Sequence, residues 1–360
     1  MTISHQAPAT LRAISPYLPG KPITELAREI GLPVERIVKL ASNENPRGMS
    51  PLARVAVEHA IAGIARYPDQ FDLVKALSDR LGVGEDQIVL GNGSNDVLDL
   101  VARVFLAPGR SSVFSEHAFA VYSLATQSTG AEGIVAPATH YGHDLSAMRA
   151  ALRPDTRLVW IANPNNPTGT YLPSAQIRAF LETVPDDVAV VLDEAYNEYL
   201  PPRVESVAWC RDFPNLIITR TFSKIYGLAG LRVGYAVTSP EVADLMNRVR
   251  QPFNVNNLAL AAATAALDDH VFVAESYRLN QEGMERMVAG VKHLGLEHIP
   301  SHGNFISIKV RNALIVNEKL LKQGIIVRPI AGYGLPHHLR VTIGLPSENE
   351  RFLTALEGAL

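Results

Sequence analysis

A single cysteine, Cys210, occurs in 360 residues. That excludes an internal disulfide and any metal site built from several thiolates, and it suits a reducing compartment. Alone, Cys210 reads as a small buried hydrophobe. An excess of one charge is also missing. The 33 Lys and Arg nearly balance 36 Asp and Glu, for a net charge of −3, and no basic run stands out. No nucleic-acid surface is therefore expected. Long apolar runs are absent too. The most apolar stretch, LALAAATAAL (258–267), falls well short of the ~20 residues of a membrane span and reads as a buried helix. The opening MTISHQAPATLRAISPYLPGKP lacks the apolar core of a secretory signal. No membrane association and no metal site are expected, and the expected location is cytoplasmic.

What is present fits a globular α/β protein. Hydrophobic residues make up 47 % and charged residues 19 %. The length suggests one large and one smaller domain. Short β-branched runs alternate with amphipathic stretches. The strand candidates are QIVL (87–90), SSVFS (111–115), GIVAPA (133–138), RLVWIA (157–162), VAVVLD (188–193), LIITRT (216–221) and RVGYAV (232–237). Helix candidates such as DVLDLVARVFL (96–106) and SAQIRAFLETV (174–184) lie between them, which predicts a mainly parallel sheet flanked by helices. Residues 240–290 read as largely helical. Then NFISIKV (304–310) and HLRVTIG (338–344), around a helix in NALIVNEKLLKQG, predict a smaller α+β unit. The opening 45 residues have no core of their own and are expected to pack on it. The expected division is a large domain over 46–255 and a small one from 1–45 and 256–360.

Ligands of open parallel sheets bind beyond the carboxyl ends of the strands. Four polar segments follow strands here: GNGSND (91–96), NPNNPTG (163–169), DEAY (193–196) and FSK (222–224). GNGSND suits either an ordinary helix capped by Ser or Asn or a phosphate held at a helix start. NPNNPTG is a rigid turn whose amides can orient a ligand. Asp193 ends an apolar strand, where it is a cap, a paired structural acid, or a carboxylate facing a cationic ring nitrogen. Tyr196 is placed to hydrogen-bond a phenolate on the same ring. Arg232, with the hydroxyls of Thr221 and Ser223, can neutralise a phosphate. A strand-end acid, a lysine after the next strand (Lys224) and a phosphate cradle together suit pyridoxal phosphate.

Beyond those residues, the chain resembles the pyridoxal-phosphate-dependent aminotransferases of fold type I, classes I and II. The resemblance runs through SPYLPGKP, LASNENPRG, RYPD, GNGSND, NPNNPTG, DEAYNEY, RTFSKIYGLAGLRVGY, NFI and GIIVRPIAGYGLPHHLRVTIG, in that order. It implies that Lys224 is the Schiff-base lysine, Asp193 the acid on the pyridine nitrogen, and Tyr196 and Asn166 the partners of the ring oxygen. Ser94, Asn95, Thr221, Ser223 and Arg232 fall at phosphate-binding positions. Phe119 falls where relatives stack an aromatic, often tyrosine, on the ring; phenylalanine keeps the stacking without the hydroxyl.

By the same resemblance, Tyr67 reaches the cofactor phosphate of a neighbouring subunit, implying a homodimer with shared active sites. Arg340 binds the acidic end of the substrate, with Tyr17 and Arg328 as further candidates for that pocket; Arg328 reads equally as a structural pair. The implied partners are a small-molecule amino donor and a 2-oxo acid. The expected reaction is L-histidinol phosphate plus 2-oxoglutarate giving imidazole acetol phosphate plus L-glutamate, a step of histidine biosynthesis. An aromatic amino-acid substrate is the nearest alternative, because an arginine pocket takes a carboxylate as readily as a phosphate. A related phospho-amino-acid decarboxylase and a non-catalytic binding protein stand further off.

Overall fold

The computed structural model describes residues 2–16, 20–200 and 205–360. Seven strands form one sheet: β1 (Ile88–Gly91), β2 (Ser111–Ser115), β3 (Glu132–Ala136), β4 (Thr156–Ala162), β5 (Ala189–Asp193), β6 (Leu216–Thr221) and β7 (Gly234–Val237). Their order across the sheet is β1-β7-β6-β5-β4-β2-β3. Neighbours among β2 to β6 are parallel, whereas β7 runs antiparallel to both β1 and β6.

Burial explains why these strands are apolar nearly throughout. Side chains of a strand alternate between faces. In β5, Val190 and Leu192 join a core that includes Ile177 of helix Ser174–Leu181, while Ala189 and Val191 join one that includes Leu98 and Val101 of helix Ser94–Phe105. Both faces are thus covered by helices, as a largely parallel sheet requires.

A second, antiparallel sheet holds β8 (His298–Ile299), β9 (Phe305–Lys309), β10 (Arg328–Pro329) and β11 (His338–Thr342), in the order β8-β9-β11-β10. Its core includes Ile306, Ile308, Leu339 and Val341, with Phe352 and Leu356 from helix Pro346–Ala359. The N-terminal segment seats here. Val38–Lys39 pairs in parallel with Ile325–Ile326, and Leu26, Ala27, Ile37 and Ala41 cluster with Ile326. Helix Asn257–Asp268, just past residue 255, packs on helix Pro51–Ala60, and its Ala259, Leu260 and Ala262 belong to the seven-stranded core. Among the described residues, no helix is long and apolar enough to cross a membrane.

Candidate active site

The carboxyl ends of β4, β5 and β6 and the turn after β1 face the four-stranded sheet across a cavity of about 320 Å³. Ser94, Asn95, Phe119, Asn166, Asp193, Tyr196, Thr221, Ser223, Lys224, Arg232, Arg328 and Arg340 all line it. Segments far apart in sequence meet there because parallel strands deliver their following loops to one edge.

Asp193, the last residue of β5, is buried. Tyr122 Oη donates to its Oδ2 at 2.8 Å, and Thr219 Oγ1 to its Oδ1 at 3.1 Å. Tyr122 is fixed by stacking on Trp160, with ring centroids 5.1 Å apart. Burial pushes the Asp193 carboxyl up, opposed by those two hydroxyls and by the nearby Lys224 charge. A cation beside it would hold it ionised. The next residue, Glu194, points away from the cavity to the buried Arg220, with Oε2 2.8 Å from Nη2.

Lys224 follows β6 on a loop anchored by the fully buried Phe222. Nζ donates to the Ser42 carbonyl at 3.2 Å and lies 5.7 Å from the centre of the Tyr196 ring. Burial, followed by the charge of Arg340, pushes the amine down to about 8. Gly227, at φ +72°, lets this loop approach the N-terminal segment: a Cβ there would sit 1.9 Å from the Gly48 carbonyl oxygen. Asn43 Nδ2 donates to Tyr196 Oη at 2.9 Å.

Arg232 adopts φ +60° and donates from Nη1 to the Ala229 carbonyl at 3.0 Å and to Ser223 Oγ at 3.5 Å. Its guanidinium lies over Gly93, where a Cβ would stand 2.3 Å from Nη2. Gly93, at φ +86°, is the cap of helix Ser94–Phe105, so Ser94 and Asn95 are its first two residues. This corrects the expectation of a Ser or Asn cap: an approaching arginine leaves no room for a side chain at the cap. The structure places a guanidinium against the positive end of a helix, and an anion between them makes that arrangement favourable.

On the opposite wall, Arg340 of β11 donates from Nη1 to Asn166 Oδ1 at 2.5 Å and from Nη2 to the Ala41 carbonyl at 2.7 Å. Arg328 faces Arg340 across the β10–β11 pairing. Two further expectations lie elsewhere. Tyr67 is not in the cavity: it is 81 % exposed and stacks on the exposed Phe253 at 4.5 Å. Tyr17 lies outside the described residues. Sequence reasoning missed Tyr122, Thr219 and Asn43. Which hydroxyl or amide meets which partner depends on contacts across 26 to 153 residues of sequence.

The donor set fits pyridoxal phosphate: a desolvated lysine, a buried acid held by two hydroxyls, and a helix end facing an arginine. The chain belongs to the family of class I and II aminotransferases, whose model matches residues 35–356. Histidinol-phosphate aminotransferase 1 of Dechloromonas aromatica is 72 % identical over the full length of both chains. Histidinol-phosphate aminotransferase 2 of Nitrosospira multiformis is 61 % identical over 100 % of this chain and 93 % of its own. In structure, the histidinol-phosphate aminotransferase of Sinorhizobium meliloti, solved in complex with pyridoxal-5'-phosphate, superposes with a TM-score of 0.90 at 28 % identity, covering 98 % of this chain and 96 % of that one.

Proposed function

We propose that this chain is a pyridoxal-phosphate-dependent transaminase that moves the amino group of L-histidinol phosphate to 2-oxoglutarate, giving imidazole acetol phosphate and L-glutamate. The observation that carries this reading is the 72 % end-to-end identity to a histidinol-phosphate aminotransferase.

When bound, the cofactor supplies a carbonyl carbon that accepts the amino group and a ring that withdraws electrons from the reacting carbon. The side chains divide the remaining work. Lys224 Nζ is the covalent anchor and, once released, takes the proton from the substrate Cα and redelivers it. The Asp193 carboxylate keeps the ring nitrogen protonated, which its burial makes effective. Tyr196 and Asn166 hold the ring oxygen, and Phe119 covers a ring face. Ser94, Asn95, Thr221, Ser223 and Arg232 hold the phosphate, supported by the helix end they surround.

Arg340 and Arg328 take the acidic end of each substrate, the phosphate ester in one half-reaction and a carboxylate in the other. Tyr17 belongs to that pocket by the same reading. The stacked, exposed pair Tyr67 and Phe253 supports a homodimer, in which Tyr67 serves the phosphate of the neighbouring subunit. The reaction takes place in the cytoplasm.

Steady-state rates with histidinol phosphate, phenylalanine and tyrosine, each against 2-oxoglutarate, test the substrate. Histidinol phosphate should give the highest kcat/KM. A higher value for phenylalanine would transfer the assignment to aromatic amino acids.

A further inference from the structure

We propose that Asn43 is a positioning residue that obliges Tyr196 to donate a hydrogen bond into the cavity. This rests on reading the cavity as the pyridoxal phosphate site.

Asn43 is 1 % exposed and holds φ +56°, a conformation that asparagine tolerates better than most residues. Its backbone N–H donates to Thr342 Oγ1 at 2.9 Å, and Asn304 Nδ2 donates to its carbonyl at 3.0 Å. The Thr342 oxygen, already accepting, gives its own hydrogen to Asn43 Oδ1 at 3.2 Å. With Oδ1 taking the Thr342 hydrogen, Nδ2 faces Tyr196 Oη at 2.9 Å. An amide nitrogen has only hydrogens to offer. Tyr196 Oη therefore accepts from Asn43 and must direct its own hydrogen elsewhere, and the side chain lines the cavity.

Tyr196 retains that hydrogen at working pH, because burial pushes the phenol up to about 12. A hydroxyl that accepts one hydrogen bond also donates a stronger one. The charged and titratable groups facing Tyr196 are Asp193 and Tyr199 on its own segment, Tyr122 beside Asp193, Lys224 after β6, Arg340 on β11 and Tyr333; a change at position 43 leaves all six in place. Thr342 and Asn304 belong to the four-stranded sheet and its approach, whereas Tyr196 follows β5. Asn43 thus carries the geometry of one sheet into the hydrogen-bond polarity of the other.

The test is a pH titration of the visible absorbance of the holo-protein. Weakening the Tyr196 donor leaves more charge on the cofactor ring oxygen. The proton that this oxygen shares with the Lys224 nitrogen then leaves at higher pH. Tyr196→Phe sets the full effect, an upward move of about one pH unit. Asn43→Asp, whose carboxylate takes the Tyr196 hydrogen for itself, should approach it. Asn43→Gly keeps the backbone conformation and should move the midpoint upward by less, as should Thr342→Val, which releases the amide. Midpoints at the wild-type pH in all three, with Tyr196→Phe displaced, would overturn the inference. An unmoved Tyr196→Phe overturns it as well, by removing Tyr196 from the ring oxygen. A wild-type protein that shows no visible band with pyridoxal phosphate instead overturns the underlying cofactor reading.

Discussion

Nη1 of Arg340 lies 2.5 Å from Oδ1 of Asn166 and donates to it. One residue belongs to the four-stranded sheet and the other to the loop after β4, so the bond closes the cavity across both halves of the molecule. It also links the side chain proposed to read the substrate with one proposed to face the cofactor. An incoming anion must share Arg340 with Asn166 or take it over.

Replacing Arg340 should therefore act mainly on substrate binding. Arg340→Ala is expected to raise the KM for both histidinol phosphate and 2-oxoglutarate by about 10- to 100-fold, the value of a charge-assisted pair. Arg340→Lys keeps the charge without the fork and should recover only part of it. Steady-state kinetics with each substrate varied checks this; unchanged KM values for both would remove Arg340 from the substrate pocket.

Lys224→Ala should lower turnover by several orders of magnitude. The neutral amine is the form that attacks the cofactor. With the amine pushed down to about 8, uptake of pyridoxal phosphate by cofactor-free protein should accelerate as pH rises and level off above about pH 8. An ordinary lysine would keep gaining to its usual 10.5. Arg340→Ala removes a charge that depresses this amine, so the plateau should move to higher pH. Stopped-flow absorbance measures both; a rate still climbing at pH 10 in the wild type contradicts the environment described for Lys224.

The same depression makes Lys224 costly to the cofactor-free fold. Between pH 8 and 10.5 the unfolded chain binds the extra proton, so this contribution to stability rises with pH across that window. Below pH 8 the penalty is fully present, at most about 3 kcal/mol. Lys224→Met should therefore stabilise the cofactor-free protein at pH 7.5, and the advantage should shrink at pH 10. Urea denaturation at the two values decides it; an equal gap at both would assign the gain to packing alone.

Gly93→Ala places a Cβ where Arg232 lies and imposes a left-handed backbone on alanine. Displacing the guanidinium should weaken cofactor binding by about 10- to 100-fold. The kcat at saturating cofactor should fall much less, because Lys224 and Asp193 are untouched. Equilibrium dialysis against pyridoxal phosphate gives the first quantity and kinetics the second; unaltered cofactor affinity would exclude Arg232 from the phosphate site.

Tyr67→Phe removes only a hydroxyl from a side chain that is 81 % exposed in the single chain. If that hydroxyl serves the neighbouring subunit, cofactor affinity should drop by several-fold to about 10-fold while thermal stability is unchanged. A variant that binds cofactor as tightly as the wild type would leave Tyr67 as a packing residue.

Much of this arrangement was legible in the residues alone. SSVFS and LIITRT coincide with β2 and β6, because runs buried on both faces have little room to end elsewhere. The strand edge that carries Asp193 and Lys224 followed from the polar segments behind each apolar run. Strand direction did not follow. RVGYAV looks like its neighbours, yet Arg232 turns left-handed and the antiparallel β7 begins only at Gly234. The support behind Asp193 was equally hidden, since the Tyr122 hydroxyl meets it across 71 residues of sequence. No local pattern encodes that meeting; it is a product of the packed sheet.

The parallel pairing of Val38–Lys39 with Ile325–Ile326 has a consequence for the order of birth of the molecule. All seven strands of the larger sheet are encoded between residues 88 and 237, so they can collapse while the ribosome is still translating. Val38–Lys39 has no strand to pair with until residue 326 has left the exit tunnel. At about 5–20 residues per second, that wait lasts on the order of tens of seconds. Only afterwards can Asn43 meet Thr342 and can Arg340 reach Asn166. A nascent chain should therefore acquire its scaffold early and its catalytic competence last.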